Sequence, residues 1–478
     1  MKKYLIIIFL IAETNLAFSQ ILTDSIKAII KQEVANKRSK SIIVGIINSN
    51  GRQIFSEGKL SDKFPVLPDG NTIYEIGSIT KVFTSLLLAD MSQKQKLNLN
   101  DPISKFLPKT VKTPVRNEKE ISLLSLSTHR AGFPRNAYNL DPKNLDNPFA
   151  DYATKQLYEY ISNFELSRDI DSKWQYSNIG YTLLGHILTT VEHKNFDTLM
   201  NMAICRPLNM NSTFFSLPPK LKLNVASGHS ESGQPASAWD FPLAGGGGLR
   251  SNVNDMLTFA EANLGFTKTD LFSAMELSHI LRAKKDGENT YTTMGWTLSN
   301  TDGKYILFKD GGTGGYRTFL GIDKKNKIGV VVLSNSNNSV TDIGRHILDS
   351  THKVESYKYP WALLDTMRTT IQTNGVYAAI ELYQRLKTSK NTSFIFNENQ
   401  LNYLGSELRR DKKIKDALKI YALNLKEYPK SPLVYESLGE TYKRSKNKKI
   451  AIKYFEKAQE LDPQNPHWTY ILKKLKRN

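Results

Sequence analysis

The chain has 478 residues, 40% of them hydrophobic and 23% charged, with a formal net charge of +19. That length exceeds one usual domain, and that balance supports a packed core rather than a disordered chain. A single cysteine excludes an intramolecular disulfide. No apolar run of about 18 residues or more follows the N-terminus, so no internal membrane span is expected. No His/Cys/Asp/Glu cluster has metal-ligand spacing, and no glycine-rich loop ends in Gly-Lys-Ser/Thr, so neither a metal, a nucleotide nor another cofactor is expected.

Residues 1–20 read as a secretory leader. Lys2 and Lys3 precede an apolar run from Tyr4 to Ala12, and Ala17-Phe18-Ser19 supplies a small-x-small cleavage signal. Cleavage after Ser19 would leave Gln20 first, and cleavage after Gln20 is the alternative. The mature protein is therefore expected in the periplasm or cell envelope, which makes nucleic acid a poor partner.

Beyond the leader, apolar periodicity predicts helices over Asp24–Ala35, Lys81–Lys94, Tyr181–Val191 and Val253–Leu264. Strand-like runs fall at Ile42–Ile47, Met294–Leu298, Phe319–Ile322 and Ile328–Ser334, and Asn50-Gly51 reads as a hairpin turn into a second strand reaching Phe55. Strands near both ends of residues 21–352, with helices between, predict one mixed α/β (α+β) domain whose sheet is closed by both chain ends.

Three segments of this domain could carry chemistry. Ser78-Ile79-Thr80-Lys81 follows Gly77 and opens a buried helix, and its spacing sets an amine beside a hydroxyl on one helix face. Ser-x-x-Lys also occurs at Ser56, Ser350 and Ser445, and Ser78 alone reads equally well as a helix cap. Trp174-Gln175-Tyr176-Ser177-Asn178 precedes an apolar helix. Tyr176 could act as a base if cations hold it partly ionised, and Asn178 could hold an amide, whereas the plainer reading has Ser177 or Asn178 cap the helix. Lys309-Asp310-Gly311-Gly312-Thr313-Gly314-Gly315 lies between strands, where glycines let a backbone approach a ligand or simply make a hairpin turn. Cys205 sits in an apolar helix end and reads as a buried, inert thiol.

The C-terminal part repeats. Leu404-Gly405, Ala417, Tyr421 and Pro429 recur 34 residues later as Leu438-Gly439, Ala451, Phe455 and Pro463. This order and period resemble the tetratricopeptide repeat, a helix-turn-helix unit. A helix at Gly375–Leu386 could supply a packing partner, because a lone repeat cannot bury its apolar face. The expected organisation is a leader over 1–20, the mixed domain over 21–352, a linker over 353–370 and all-α repeats over 371–478. Residues 400–478 hold 19 Lys/Arg against 9 Asp/Glu, about half of the whole chain's excess charge. That charge suits solvated helix faces, or a protein or anionic envelope partner.

Taken in order, Tyr74-Glu75-Ile76-Gly77-Ser78-x-x-Lys81, Tyr176-x-Asn178 and Lys309-x-Gly311 before Thr313-Gly314-Gly315 resemble the class C β-lactamases and their relatives, the D,D-peptidases and β-lactamase-like esterases. Leu126 to Pro134 is similar to that family's Leu-x-Thr-His stretch. Leu243 to Arg250, ahead of a helix capped by Ser251, is similar to its glycine-rich wall. The resemblance covers nearly all of residues 25–352. It implies a β-lactamase/transpeptidase-like domain, an antiparallel sheet flanked by helices with a helical subdomain. It also implies an acyl-enzyme on Ser78, base and proton-shuttle work shared by Lys81 and Tyr176, and an oxyanion hole from the N–H groups of Ser78 and Gly312. Asn178 would hold the substrate amide and Lys309 would keep the site positive. β-Lactams, D-amino-acid cell-wall peptides and esters are the implied substrates. Two departures stand out. Asp310 replaces the usual hydroxyl residue and would repel a substrate carboxylate if it faced one, favouring an esterase. Thr80 is bulkier than usual. A non-catalytic wall-peptide sensor with a repeat scaffold is the reading from another class; it would be expected to lose Ser78, Lys81 or Tyr176.

Overall fold

The computed structural model describes residues 22–285, 289–354, 361–389 and 394–477. The leader expected over 1–20 lies outside these residues. Eight strands form one sheet: β1 Ser41–Asn48, β2 Gly51–Gly58, β3 Ala283–Lys284, β4 Thr290–Thr292, β5 Thr297–Thr301, β6 Lys304–Gly312, β7 Arg317–Asp323 and β8 Ile328–Ser334. Their order is β2-β1-β8-β7-β6-β5-β4-β3, every pairing antiparallel. The first and last strands in sequence pair with each other one strand in from the β2 edge, with Val44 opposite Val332, so both chain ends close the sheet as expected.

Strand alternation explains the layers. Ile42, Val44 and Ile46 of β1 share one face with Val330 and Val332 of β8, packed against α1 (Asp24–Ala35) through Ile26 and Ile30. Ile43 and Ile47 share the other face with Val331 and Leu333, against α2 (Thr80–Gln93) and, further along the chain, α4 (Val253–Leu264). A sheet covered on both faces needs near-continuous apolar strands, which β1, β7 and β8 supply. Between α2 and α4, the helical part of the domain is built around α3 (Asn178–Glu192).

Four local expectations change. The strand expected from Met294 starts at Thr297, because residues 293–296 turn back on themselves (Thr293 N–H to Trp296 C=O, 3.3 Å) and Gly295 packs against α2. The cap of α4 is Asn252, whose side chain accepts from the Asp255 N–H, and not Ser251. The expected linker over 353–370 is helical from Ala362 onward, within α6 (Ala362–Thr388), after α5 (Thr341–Leu348). The helix expected over Gly375–Leu386 is the second half of α6, which Gly375 interrupts with a left-handed φ of 86°.

The helices after α6 are α7 Glu398–Arg410, α8 Ile414–Glu427, α9 Pro432–Arg444, α10 Lys448–Leu461 and α11 Pro466–Arg477. The repeat has a packing cause. A Cβ on Gly405 would lie 2.5 Å from the Tyr421 ring, and one on Gly439 would lie 3.0 Å from the Phe455 ring. Each first helix carries a glycine where the aromatic of its second helix must press against the backbone. Two apolar clusters, made only of residues from 361 onward, form the core of this region.

Candidate active site

The head of α2 places the candidate nucleophile. Gly77–Ile79 form one 3-10 turn before the helix, and Ser78 is half-buried at its edge. Gly77 has a φ of 51°, and a Cβ there would lie 2.5 Å from the Gly312 nitrogen. Only glycine permits the left-handed turn and the near contact with β6 together. The Thr80 hydroxyl donates to the Gly77 carbonyl (2.7 Å) and accepts from the Leu249 N–H (3.2 Å), tying the turn to the glycine-rich wall. Its extra bulk is buried away from the cleft.

Ser78, Lys81, Tyr176, Asn178 and Lys309 converge. Ser78 Oγ and the Tyr176 hydroxyl are 2.6 Å apart, and Lys81 Nζ donates to Ser78 Oγ at 3.1 Å. Lys81 also donates to Asn178 Oδ1 (2.9 Å) and to the Gly246 carbonyl. These are three acceptors for the three N–H bonds of an ammonium. The Asn178 amide group donates to Asn136 Oδ1 (2.9 Å), so both ends of that side chain are held. The capping reading and the chemical one hold at once: Ser177 caps α3 through the Gly180 N–H (2.9 Å), which frees its neighbours Tyr176 and Asn178 for the cleft.

Charge is concentrated here. Lys309 is buried, its Nζ 4.8 Å from the centre of the Tyr176 ring, with Lys81 Nζ at 4.9 Å and the Arg135 guanidinium at 5.1 Å. Burial resists ionisation of Tyr176, but Lys81 and Lys309 outweigh it and bring the phenol down to about 8. Burial, assisted by Lys309 and opposed by Tyr176, brings the Lys81 ammonium down to about 8. Beneath the Tyr176 ring, 4.6 Å between centres, lies His129. Its Nδ1 accepts from the Ser177 N–H at 3.1 Å, and burial beside Lys309 and Lys81 pushes its pKa well down, so it stays neutral.

The glycine-rich segment is mostly strand rather than turn: Lys309 to Gly312 belong to β6, paired with β7. Gly312 reaches the cleft, while a Cβ on Gly311 would lie 2.1 Å from the Ile76 carbonyl, so Gly311 serves close packing against the turn before Ser78. Alternation along β6 puts Lys309 and Asp310 on opposite faces. Asp310 is exposed and lies outside the lining of the cleft, so the repulsion expected from the sequence does not arise there.

Around Ser78 the cleft encloses about 220 Å³, with Phe149, Tyr152, Trp239 and Phe241 as an aromatic side and Arg135, Gly312, Arg317 and Asn337 as a polar one. Sequence reasoning missed Arg317, which follows Tyr316 and begins β7. It also missed Arg135, Asn136 and the aromatics, which come from loops distant in sequence. The only hint was that Arg135-Asn136 follows the Leu126–Pro134 stretch directly. Cys205 is buried and its thiol is pushed up by burial, as expected of an inert residue.

A serine, a lysine and a tyrosine joined by hydrogen bonds beside a glycine-lined strand define a serine hydrolase that works through an acyl-enzyme. The chain belongs to the Beta-lactamase family, which it matches over residues 26–350; residues 433–465 match a tetratricopeptide repeat. It is 27% identical over 307 residues to the D-alanyl-D-alanine-carboxypeptidase/endopeptidase AmpH of Escherichia coli K12, covering 60% of this chain and 77% of that one. It is 24% identical over 332 residues to a β-lactamase of Lysobacter lactamgenus, covering 62% and 82%. In fold it is similar to a β-lactamase/D-alanine carboxypeptidase from Yersinia pestis (TM-score 0.61, 22% identity, 70% of this chain and 97% of that one). It is likewise similar to a class C β-lactamase from Rhodobacter sphaeroides (TM-score 0.59, 21% identity, 68% and 97%). Among the described residues, no helix is long and apolar enough to cross a membrane.

Proposed function

We propose that the chain hydrolyses an amide with a nearby carboxylate, a D-amino-acid peptide or a β-lactam, through an acyl-enzyme on Ser78. The 2.6 Å contact between Ser78 Oγ and the Tyr176 hydroxyl carries this reading. Lys81 already has acceptors for three N–H bonds, which suits an ammonium. Tyr176, flanked by two ammonium groups, is then the group that takes the serine proton. Ser78 Oγ attacks the carbonyl carbon, and the oxyanion settles against the N–H groups of Ser78 and Gly312, the Gly77 backbone just before Ser78 lying in near contact with Gly312. The leaving nitrogen takes the proton back from Tyr176, and water then releases the acyl group.

The substrate class rests on charge. Lys309, Arg135 and Arg317 favour an anionic substrate, and Asp310 faces away from it. Relatives named as a carboxypeptidase/endopeptidase and as a β-lactamase accord with this. An ester substrate is the second reading, favoured by the aromatic side of the cleft, which suits a neutral acyl group. Residues 1–20 would direct the chain across a membrane to these substrates, with the hydrolase unit over 21–352 and the repeat unit after it.

Intact-protein mass after mixing with benzylpenicillin, with Ser78→Ala as control and the drug followed in parallel, tests the assignment. A Ser78-dependent adduct or Ser78-dependent drug loss is expected. Absence of both, with Ser78-dependent cleavage of p-nitrophenyl acetate, moves the reading to an esterase. Turnover of either substrate that survives Ser78→Ala unchanged rejects Ser78 as nucleophile.

A further inference from the structure

The repeat region does not hang free of the hydrolase domain; it grips the loops that line the Ser78 cleft. One grip is on the stretch that carries Asn136, Phe149 and Tyr152 into the cleft. Asp141, in the middle of that stretch, is bonded by Lys443 of α9 (2.8 Å) and Lys474 of α11 (2.6 Å), with its side chain only 14% exposed. Arg444 donates to the carbonyls of Lys143 (2.6 Å) and Pro142 (2.9 Å), and His467 meets the Tyr138 carbonyl at 2.9 Å. Asn147 of the same stretch exchanges two hydrogen bonds with Asp240, beside the cleft aromatics Trp239 and Phe241.

The second grip is on residues 231–232. Ser232 donates to Glu407 of α7 (2.7 Å), which is itself fixed by Arg368 of α6 (2.9 and 3.0 Å). Tyr403 of α7 lies close to the carboxylate of Glu231, which is itself 3.7 Å from the guanidinium of Arg317 at the cleft wall.

We propose that the repeat region is a clamp on the cleft: by holding Asp141 at one place and Glu231–Ser232 at another, it fixes the loops that seat substrate over Ser78. Asp141, Lys443, Lys474 and Glu231 are positioning residues, acting through Phe149, Tyr152 and Arg317. Asp141 with Lys443, and Glu407 with Arg368, have side chains at most 18% exposed, unlike the solvated, screened pairs of an idle surface, whereas Lys474 is half-exposed. Part of the basic excess of the tail is thereby used within the chain. The catalytic consequence rests on the Ser78 reading above, whereas the clamp itself does not.

The test compares the full chain with Asp141→Lys, with Lys443→Asp/Lys474→Asp and with all three substitutions combined. Hydrogen exchange reads the clamp without any activity. Residues 136–152 should exchange faster in both one-sided variants and return towards wild type in the combined one, with protection of β1, β7 and β8 unchanged. For Ser78-dependent turnover, KM should rise roughly tenfold while kcat stays within about twofold, because loosened seating removes binding more than chemistry. Unchanged exchange over 136–152 in both one-sided variants overturns the clamp. Faster exchange without the KM change overturns its role in seating substrate. A wild-type chain with no Ser78-dependent turnover sinks the functional reading alone, and the exchange arm still decides the clamp.

Discussion

At the scale of single residues, the site depends on three cations and one phenol held in a small volume. With Tyr176 and Lys81 both brought to about 8, they titrate as a coupled pair rather than as two independent groups. Below that pH the phenol is protonated and cannot take the serine proton. kcat/KM should therefore rise with pH towards about 8, by up to tenfold per unit, as the phenolate forms. Removing Lys309 takes away a charge that favours the phenolate, so the rise in Lys309→Met should move to higher pH. A pH–rate profile checks this, and an unmoved profile would exclude Tyr176 as the titrating base. Tyr176→Phe keeps the ring packed at a tilt against His129 and deletes the proton acceptor, and should lower kcat by about 10²–10⁴-fold. Single-turnover acylation of Ser78 measures that loss directly.

Elements place these residues through backbone contacts as much as through side chains. The Gly77 turn lies against β6, and the glycine-rich wall is fixed to α2 by the Thr84 hydroxyl donating to the Gly245 carbonyl (2.8 Å). In the repeats the same economy of glycine lets Tyr421 and Phe455 press on Gly405 and Gly439. Phe455 is fully buried. Phe455→Ala should cost about 3–5 kcal/mol, the usual penalty for emptying an aromatic site, and a short array has few neighbours to absorb it. Faster hydrogen exchange across α9–α11, with α1 and β8 unaffected, is the expected signature. Equal loss of protection in β8 would mean that the two regions unfold as one.

For the whole molecule, the interface between repeats and hydrolase domain is polar, so its strength depends on ionisation. Burial pushes the Asp141 carboxyl up, but Lys443 and Lys474 outweigh it and leave it below its ordinary value, with Glu440, His467, Arg444 and Tyr470 close by. A depressed carboxyl stabilises the docked state above its unfolded pKa, and that contribution is lost as pH falls through the folded value. Asp141→Asn should thus weaken docking by about 1–3 kcal/mol at neutral pH, the scale of hydrogen bonds to a charged group. The difference from wild type should vanish once Asp141 is protonated in both states. Thermal denaturation of both proteins between neutral pH and the acid range reads this. A gap that stays constant into acid would mean that packing, not charge, holds the interface.

Much of this was legible from the chain alone. Pattern located α1 and α4 to the residue, because their apolar faces repeat at 3.6 residues, and β8 over its full length, because it is a short near-continuous apolar run. Three motifs in order, through their resemblance to the β-lactamase family, brought out Ser78, Lys81, Tyr176, Asn178 and Lys309, although each segment alone reads equally well as a helix cap or a turn. The 34-residue period of the tail was visible because each repeat solves the same glycine–aromatic contact. Other features depend on where distant segments meet. Asp310 looked obstructive in a linear motif, and only the pleat of β6 turns it away. Arg317, at the start of β7, and Phe149, on a loop, reach the cleft through the way distant segments meet, which no local pattern encodes. The basic tail read as solvated helix faces or as a surface for a partner. Folding brings Lys443 and Lys474 to Asp141, more than 300 residues earlier in the chain. Contacts at that separation are set by packing of the whole fold, not by the spacing of neighbours.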